Sequence, residues 1–185
     1  YYPFVSEDQT FVTGTPQFEP HYKPDLLLSR EAFCKQYDLD ADKRYICFSG
    51  DDETTSPLDQ YYLEDLAKAV RNLNEKGENL GIIYRKCPVD LTNRYAVVLE
   101  AYNDVITPID PLWKPMGNQW NQVMPTKADI ALLVNVCHHS EFVTNVCSST
   151  VFDFVAHHKP CIYYNYEQPQ LAKGMRDIGQ NYNYV

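Results

Sequence analysis

The stretch from Phe142 to Asn165 limits what this chain can fold into more than any other. FVTNV and CIYYN are short apolar runs rich in β-branched and aromatic residues, the pattern of strands buried on both faces. Between them Cys147, Ser148, Ser149 and Thr150 make a small polar turn, with Ser149 or Thr150 as the expected N-cap. Val151, Phe152, Val155 and Ala156 give the stripe of a helix that Lys159-Pro160 closes. Strand, turn, helix and strand in so few residues predict a parallel crossover. Hydroxyls and free backbone N–H groups at the start of its helix would make an anion site. Asp153, one turn in, is placed to reach a sugar hydroxyl beyond a bound phosphate. The same residues also suit a crossover that is simply well capped.

The rest of the chain repeats this alternation. Residues 1–28, rich in Tyr, Pro and Phe, read as an arm or linker, with one strand possible over Phe11–Pro16; residues 29–185 read as the α/β domain. A short helix capped by Ser29 leads into a strand at 44–49, which ends at Gly50-Asp51-Asp52. Ser56-Pro57 starts a long helix with Leu63, Leu66, Ala67, Val70 and Leu73 on its buried face, and Gly77 ends it. Then come a strand at 80–85, a helix capped by Asp90 or Thr92, and a strand at 104–108. Residues 109–125, with both tryptophans, are expected to be a loop with at most one short turn. Thr126-x-x-Asp129 starts a helix to about His139. Strands at 142–146 and 161–165 and a final helix after Gln168, cut short near Gly179, complete the series.

This order predicts a Rossmann-like α/β fold: a parallel sheet of about five or six strands with helices on both faces. Ligands of such sheets sit beyond the carboxyl ends of the strands. Those ends carry Gly50, Arg85 and Ser148-Ser149-Thr150, so a guanidinium and a hydroxyl-rich turn meet on one rim. These residues, with Asp153, are the expected phosphate and nucleotide ligands. Arg85 could equally form an ion pair with one of the many carboxylates. Trp113 and Trp120 could stack a base or anchor a Pro-rich loop. Asp51, Asp52 and Glu53 face the rim too, and read more simply as a solvated acidic turn.

Composition removes several classes. A net charge of −9 with no compensating basic cluster argues against nucleic acid. No run of 18 apolar residues could span a membrane, and no signal peptide is recognisable. The six cysteines lack metal-type spacing and suit a reducing cytoplasm. His138-His139 and His157-His158 are adjacent pairs that point apart on a helix, so no metal site is expected. Nucleophile-elbow, P-loop and GxGxxG patterns are absent. A start at Tyr1 rather than Met suggests a piece of something longer.

The order of pieces resembles the C-terminal, donor-binding half of a GT-B glycosyltransferase. It is most similar to bacterial surface-polysaccharide transferases and the CDP-glycerol glycerophosphotransferase-like group. The resemblance is carried by Ser148-Ser149, Phe152-Asp153 and Lys159-Pro160 before Cys161-Ile162-Tyr163-Tyr164. It is carried also by Arg85-Lys86-Cys87-Pro88 followed by Arg94-Tyr95, with Cys87 where these relatives often have His. Residues 11–20 resemble the linker between the two halves, and the likeness runs over about residues 11–180. It implies a nucleotide-activated sugar as substrate, no cofactor or metal, and a role in surface polysaccharide synthesis. The acceptor, a glycan or lipid-linked glycan, and the catalytic base would come from an N-terminal half, so this half alone is expected to transfer nothing. The family's last strand and returning helix would lie beyond Val185. The cytoplasm is the expected location, with the inner face of the membrane open to the full-length protein. Alternatives are a sugar-nucleotide epimerase or glycerol-phosphate transferase of the same fold, or a non-catalytic interaction module.

Overall fold

The computed structural model describes residues 6–175, apart from 118, 120 and 121, together with 177 and 178. Five parallel strands form the central sheet: β1 (Arg44–Ser49), β2 (Leu80–Arg85), β3 (Ile106–Pro108), and, after a separate hairpin of β4 (Trp113–Pro115) and β5 (Val123–Pro125), β6 (Ser140–Asn145) and β7 (Cys161–Tyr163). Their order across the sheet is β3-β2-β1-β6-β7. The chain therefore builds outward from β1 in one direction and then returns to its other side with β6. That reversal opens a crevice at the carboxyl ends of β1 and β6.

Side-chain alternation along the strands makes two cores, one per face. From β1 and β2, Ile46, Phe48, Ile82 and Tyr84 join Leu63, Ala67 and Val70 of α2 (Asp59–Glu75) and Val98 of α3 (Ala96–Ala101). On the opposite face Tyr45, Cys47 and Ile83 meet Phe33 of α1 (Arg30–Gln36), Leu132 and Val136 of α4 (Lys127–His139) and Phe154 of α5 (Val151–Val155). Fully covered strands of this kind need continuous apolar sequence, which is why RYICFS and LGIIYR show no polar alternation. Register places Gly81 of β2 opposite Tyr45 of β1. A Cβ at Gly81 would lie 2.5 Å from Tyr45 Cε1, and Tyr45 is fixed by its hydroxyl, which accepts the Asp40 N–H at 2.8 Å. Gly81→Ala is therefore expected to destabilise the fold by about 1–3 kcal/mol, the usual range for overpacking, read as a lower urea midpoint.

Several local expectations are corrected. Residues 109–125 hold the antiparallel β4–β5 hairpin rather than a bare loop. The start of β4 is held by Asp129, as described below. Phe11–Thr15 is not a strand: Phe11 and Val12 are exposed, with no sheet partner to cover them. The arm instead forms 3-10 helices at Pro16–Tyr22 and Pro24–Leu26, where Pro16, Pro20 and Pro24 preset the backbone. Ser56 does not cap α2. The helix begins at Asp59, and the Ser56 hydroxyl donates to that residue's inward-turned carboxylate. Neither Asp90 nor Thr92 caps α3, because Asp90 Oδ1 takes the N–H and hydroxyl of Thr92 in a turn ahead of it. Leu73 is 41% exposed, since Asn74 takes the inward position and brackets the Leu80 backbone with its amide. After Gln168 the chain runs through turns to Met175, Ile178 is helical, and the stretch near Gly179 lies outside the described residues. The caps at Ser29 and Thr126 are present, as is the positive φ of 97° at Gly77 that ends α2.

Among the described residues, no helix is long and apolar enough to cross a membrane.

Candidate functional site

A cleft of about 480 Å³ opens at the carboxyl ends of the strands, at the point where strand order reverses. Ser49, Gly50 and Asp51 line it from β1, Arg85 to Pro88 from β2, and Cys147 to Thr150 from β6. Trp113, Asp129 and Asp153 complete the wall. The sequence-predicted ligands Ser148, Ser149, Thr150, Asp153, Arg85, Gly50 and Trp113 thus all face one space. Trp120 lies outside the described residues.

What those residues offer differs from the helix-start picture. Thr150 stands at the N-cap of α5 but makes no capping bond, and the turn's amides are mostly engaged. The Cys147 N–H donates to Asp51 Oδ2 at 3.2 Å, and the Ser148 N–H to Asn145 Oδ1 at 2.8 Å. Among the described residues, the amide and hydroxyl of Ser149 have no protein acceptor or donor. The hydroxyls of Ser49, Ser148 and Thr150 form a triangle, each pair 3.1 Å apart. Hydroxyl hydrogens rotate freely, so this triangle can turn donors toward a ligand without moving heavy atoms. Sequence order puts Ser49 at a strand end on the rim, but nothing in its neighbours marks its hydroxyl as a ligand.

Arg85 is in a buried ion pair, not a surface one. Its Nη2 lies 2.9 Å from both carboxylate oxygens of Asp129, and the two side chains are 8% and 4% exposed. Asp129 also accepts the Leu112 N–H and the Trp113 indole N–H, each at 2.7 Å. One carboxylate thereby holds the Arg85 guanidinium and the strand that carries Trp113. The second terminal nitrogen of Arg85, Nη1, is buried and has no hydrogen-bond partner among the described residues. Native proteins rarely leave a buried guanidinium nitrogen unpaired.

Gly50 contributes room rather than a donor. Its N–H is bonded to the Arg85 carbonyl at 2.9 Å, and a Cβ there would meet Tyr95 Oη at 3.0 Å and Tyr84 Cε2 at 3.1 Å. The Trp113 indole nitrogen is tied to Asp129, while the residue still lines the cleft. Lys86 Nζ donates to the Thr92 carbonyl at 2.8 Å.

The acidic turn after β1 is not solvated as a whole. Asp52 stays on the rim; burial works against its charge, but hydrogen bonds from Thr54 and Thr55 hold it below the usual carboxylate range. Asp51 is only 8% exposed and lines the cleft. Burial, then the nearby Asp59, pushes its carboxyl from an ordinary 3.8 up to about 7. Asp59 is fully buried, and burial raises it too, although Ser56, Tyr95 and the Asp51 N–H all donate to it. Arg94 pins the same turn, reaching the carbonyls of Asp51 and Ser56 and the carboxylate of Asp90. A run of three acids gives no hint in sequence that its first member is buried. The contacts that bury it come from Arg94 and Cys147, far along the chain.

Asp153 has a partner from the arm. His21 Nε2 lies 2.8 Å from Asp153 Oδ1, and His21 Nδ1 lies 2.9 Å from His157 Nε2. Among the described residues, no group of three or more His, Cys, Asp or Glu side chains is arranged to hold a metal ion.

No protein-family model matches the chain, and no curated protein matches it. Solved structures do. The S. aureus MnaA–UDP co-structure superposes with a TM-score of 0.53 at 17% identity, over 86% of this chain and 37% of that one. A UDP-GlcNAc 2-epimerase from Methanocaldococcus jannaschii gives a TM-score of 0.48 at 13% identity, over 86% and 41%. The chain thus spans well under half the length of these neighbours. The MnaA likeness shows the fold: an α/β domain with a parallel sheet, of the Rossmann-like kind found in GT-B proteins.

Proposed function

We propose that this chain is the donor-side half of a glycosyltransferase, holding a nucleotide-activated sugar by its diphosphate at the β1–β6 crevice. The observation that carries the reading is Arg85 Nη1, a buried and unpartnered cationic donor in a cleft beside three mutually bonded hydroxyls. The Arg85–Asp129 pair keeps the cation in place and leaves Nη1 for the ligand. Ser149, with its amide and hydroxyl unclaimed, is the second phosphate contact. Asp153 takes the hydroxyls of the ribose.

In transfer, the bond between the sugar carbon and the terminal phosphate oxygen breaks, and negative charge grows on the departing diphosphate. Arg85, Ser149 and the hydroxyl triangle would supply donors to that charge, the hydroxyls by rotating their hydrogens while the heavy atoms stay in place. The acceptor and its base belong to the other half of the enzyme. Surface polysaccharide synthesis is the setting that the sequence resemblance suggests.

A second reading, a sugar-nucleotide epimerase, draws on the structural likeness to MnaA. Both readings require nucleoside diphosphate binding, and a pure interaction module does not. Calorimetry of the chain against UDP, GDP, CDP and ADP is expected to find one that binds. Ser149→Ala should then weaken that binding roughly ten- to a hundredfold, the loss of about 1.5–3 kcal/mol expected for a hydrogen bond to a charged group. Arg85→Lys, which keeps the charge but not the planar fork, should weaken it by at least as much. Unchanged affinity in both variants places the site elsewhere.

A further inference from the structure

His21 belongs to the arm, far in sequence from everything it touches. The 3-10 helix Pro16–Tyr22 lies against α4, and within it His21 is the buried residue, at 8% exposure. Its two ring nitrogens are both used, Nε2 on Asp153 Oδ1 at 2.8 Å and Nδ1 on His157 Nε2 at 2.9 Å. The two imidazoles meet edge-on, with ring centroids 5.0 Å apart. The Asp153 carboxylate can only accept, so the hydrogen of that contact is on His21 Nε2. In the singly protonated ring, Nδ1 then accepts from His157 Nε2–H. Burial, then His21 and His138, pushes His157 down to about 4, so its neutral form is the one available for this bond.

An Asp side chain on an exposed helix turn samples several rotamers. One oxygen of Asp153 is instead locked by a ring that is itself locked at its far side, while the residue lines the cleft. Such a chain of carboxylate, imidazole and imidazole orients the carboxylate, as a partner behind a metal-bound or catalytic ligand does. We infer that His21 is a positioning residue of the cleft: it holds Asp153 in the orientation that accepts a vicinal diol, and so makes the arm part of the site that prefers ribose. This rests on the reading of the cleft as a nucleoside diphosphate site.

The test separates the two. The tightest binder among UDP, GDP, CDP and ADP is compared with its 2′,3′-dideoxy analogue, and inorganic pyrophosphate serves as a probe of the phosphate contacts alone. The wild-type chain is expected to favour the ribonucleotide about tenfold or more, the usual effect of hydrogen bonds to a charged acceptor. His21→Leu, which fills the same space without a donor, should bring that ratio close to one while pyrophosphate affinity stays within about twofold of wild type. His21→Gln, which still offers an N–H to Asp153, should restore much of the ratio. If His21→Leu loses its cooperative thermal melt, His157→Leu replaces it, and the ratio should fall there too because the imidazole is freed to turn. A wild-type ribose preference that survives in the folded variant overturns the role given to His21. So does an equal loss of pyrophosphate and nucleotide affinity, which would mark a merely structural contact. If the wild-type chain binds no nucleoside diphosphate, the reading of the cleft falls first, and the inference falls with it.

Discussion

Asp129→Ala is expected to lower folding stability by about 3–5 kcal/mol, the range measured when one partner of a buried ion pair is removed. The cause is asymmetric. Asp129 accepts from Arg85, the Leu112 amide and the Trp113 indole, so its loss strands three donors at once. The worst of these is the guanidinium, 8% exposed and, among the described residues, in an ion pair with no other carboxylate. Arg85→Met strands less, because Asp129 keeps two of its donors, and should cost stability by a smaller margin. The pair of substitutions Arg85→Met and Asp129→Leu should recover much of the loss, since well-packed apolar residues often replace a buried ion pair without penalty. Nucleoside diphosphate binding should nevertheless be absent from the double variant. Urea denaturation of the three proteins reads the stabilities, and a loss below about 1 kcal/mol for Asp129→Ala would show that the pair holds neither the cleft nor the hairpin.

The sheet was legible in sequence because strands covered on both faces must be apolar throughout, and RYICFS, LGIIYR and FVTNV are such runs. Strand ends were legible to within a few residues, as at 142–146 against the observed Ser140–Asn145. The β4–β5 hairpin was not, since three-residue strands leave no periodicity and are held by one distant carboxylate. The cleft residues from strand ends could be named from the order of elements, because a parallel sheet brings all its carboxyl ends to one edge. Their partners could not. The Arg85–Asp129 pair spans 44 positions and the His21–Asp153 contact 132. Asp129 had already been claimed by a local pattern, the capping box with Thr126. Its backbone does donate to the Thr126 hydroxyl, at 3.1 Å, but its carboxylate turns inward to Arg85 instead. Local rules place the backbone; which way a carboxylate turns is settled by the cation it finds.

Asp51 gives the remaining large effect, a loss of stability as pH rises. Its folded value of about 7 lies above the ordinary 3.8 of the unfolded chain, chiefly through burial and then through Asp59. A group raised on folding contributes its full stabilisation below the unfolded value. Between about pH 4 and 7 the unfolded chain has released the proton that the folded chain keeps, so stability falls, and above about 7 it levels off. At 1.36 kcal/mol per pH unit, the gap from 3.8 to about 7 corresponds to roughly 4 kcal/mol as an upper bound. Other groups titrate in this window, so the comparison with Asp51→Asn isolates the effect. The asparagine oxygen can still accept the Cys147 N–H that Asp51 Oδ2 accepts now. It also leaves Asp59 without a like charge beside it, while Ser56, Tyr95 and the residue-51 amide continue to donate to Asp59. Asp51→Asn is therefore expected to match wild type near pH 4 and to exceed it by about 2–4 kcal/mol at pH 8, measured by urea denaturation at each pH. Equal stabilities at pH 8 would mean that Asp51 ionises without penalty, as an exposed carboxylate does. In the cleft the same titration has a ligand-side consequence. A neutral Asp51 can face a bound diphosphate and an ionised one repels it, so wild-type nucleoside diphosphate affinity should weaken above pH 7 and that of Asp51→Asn should not.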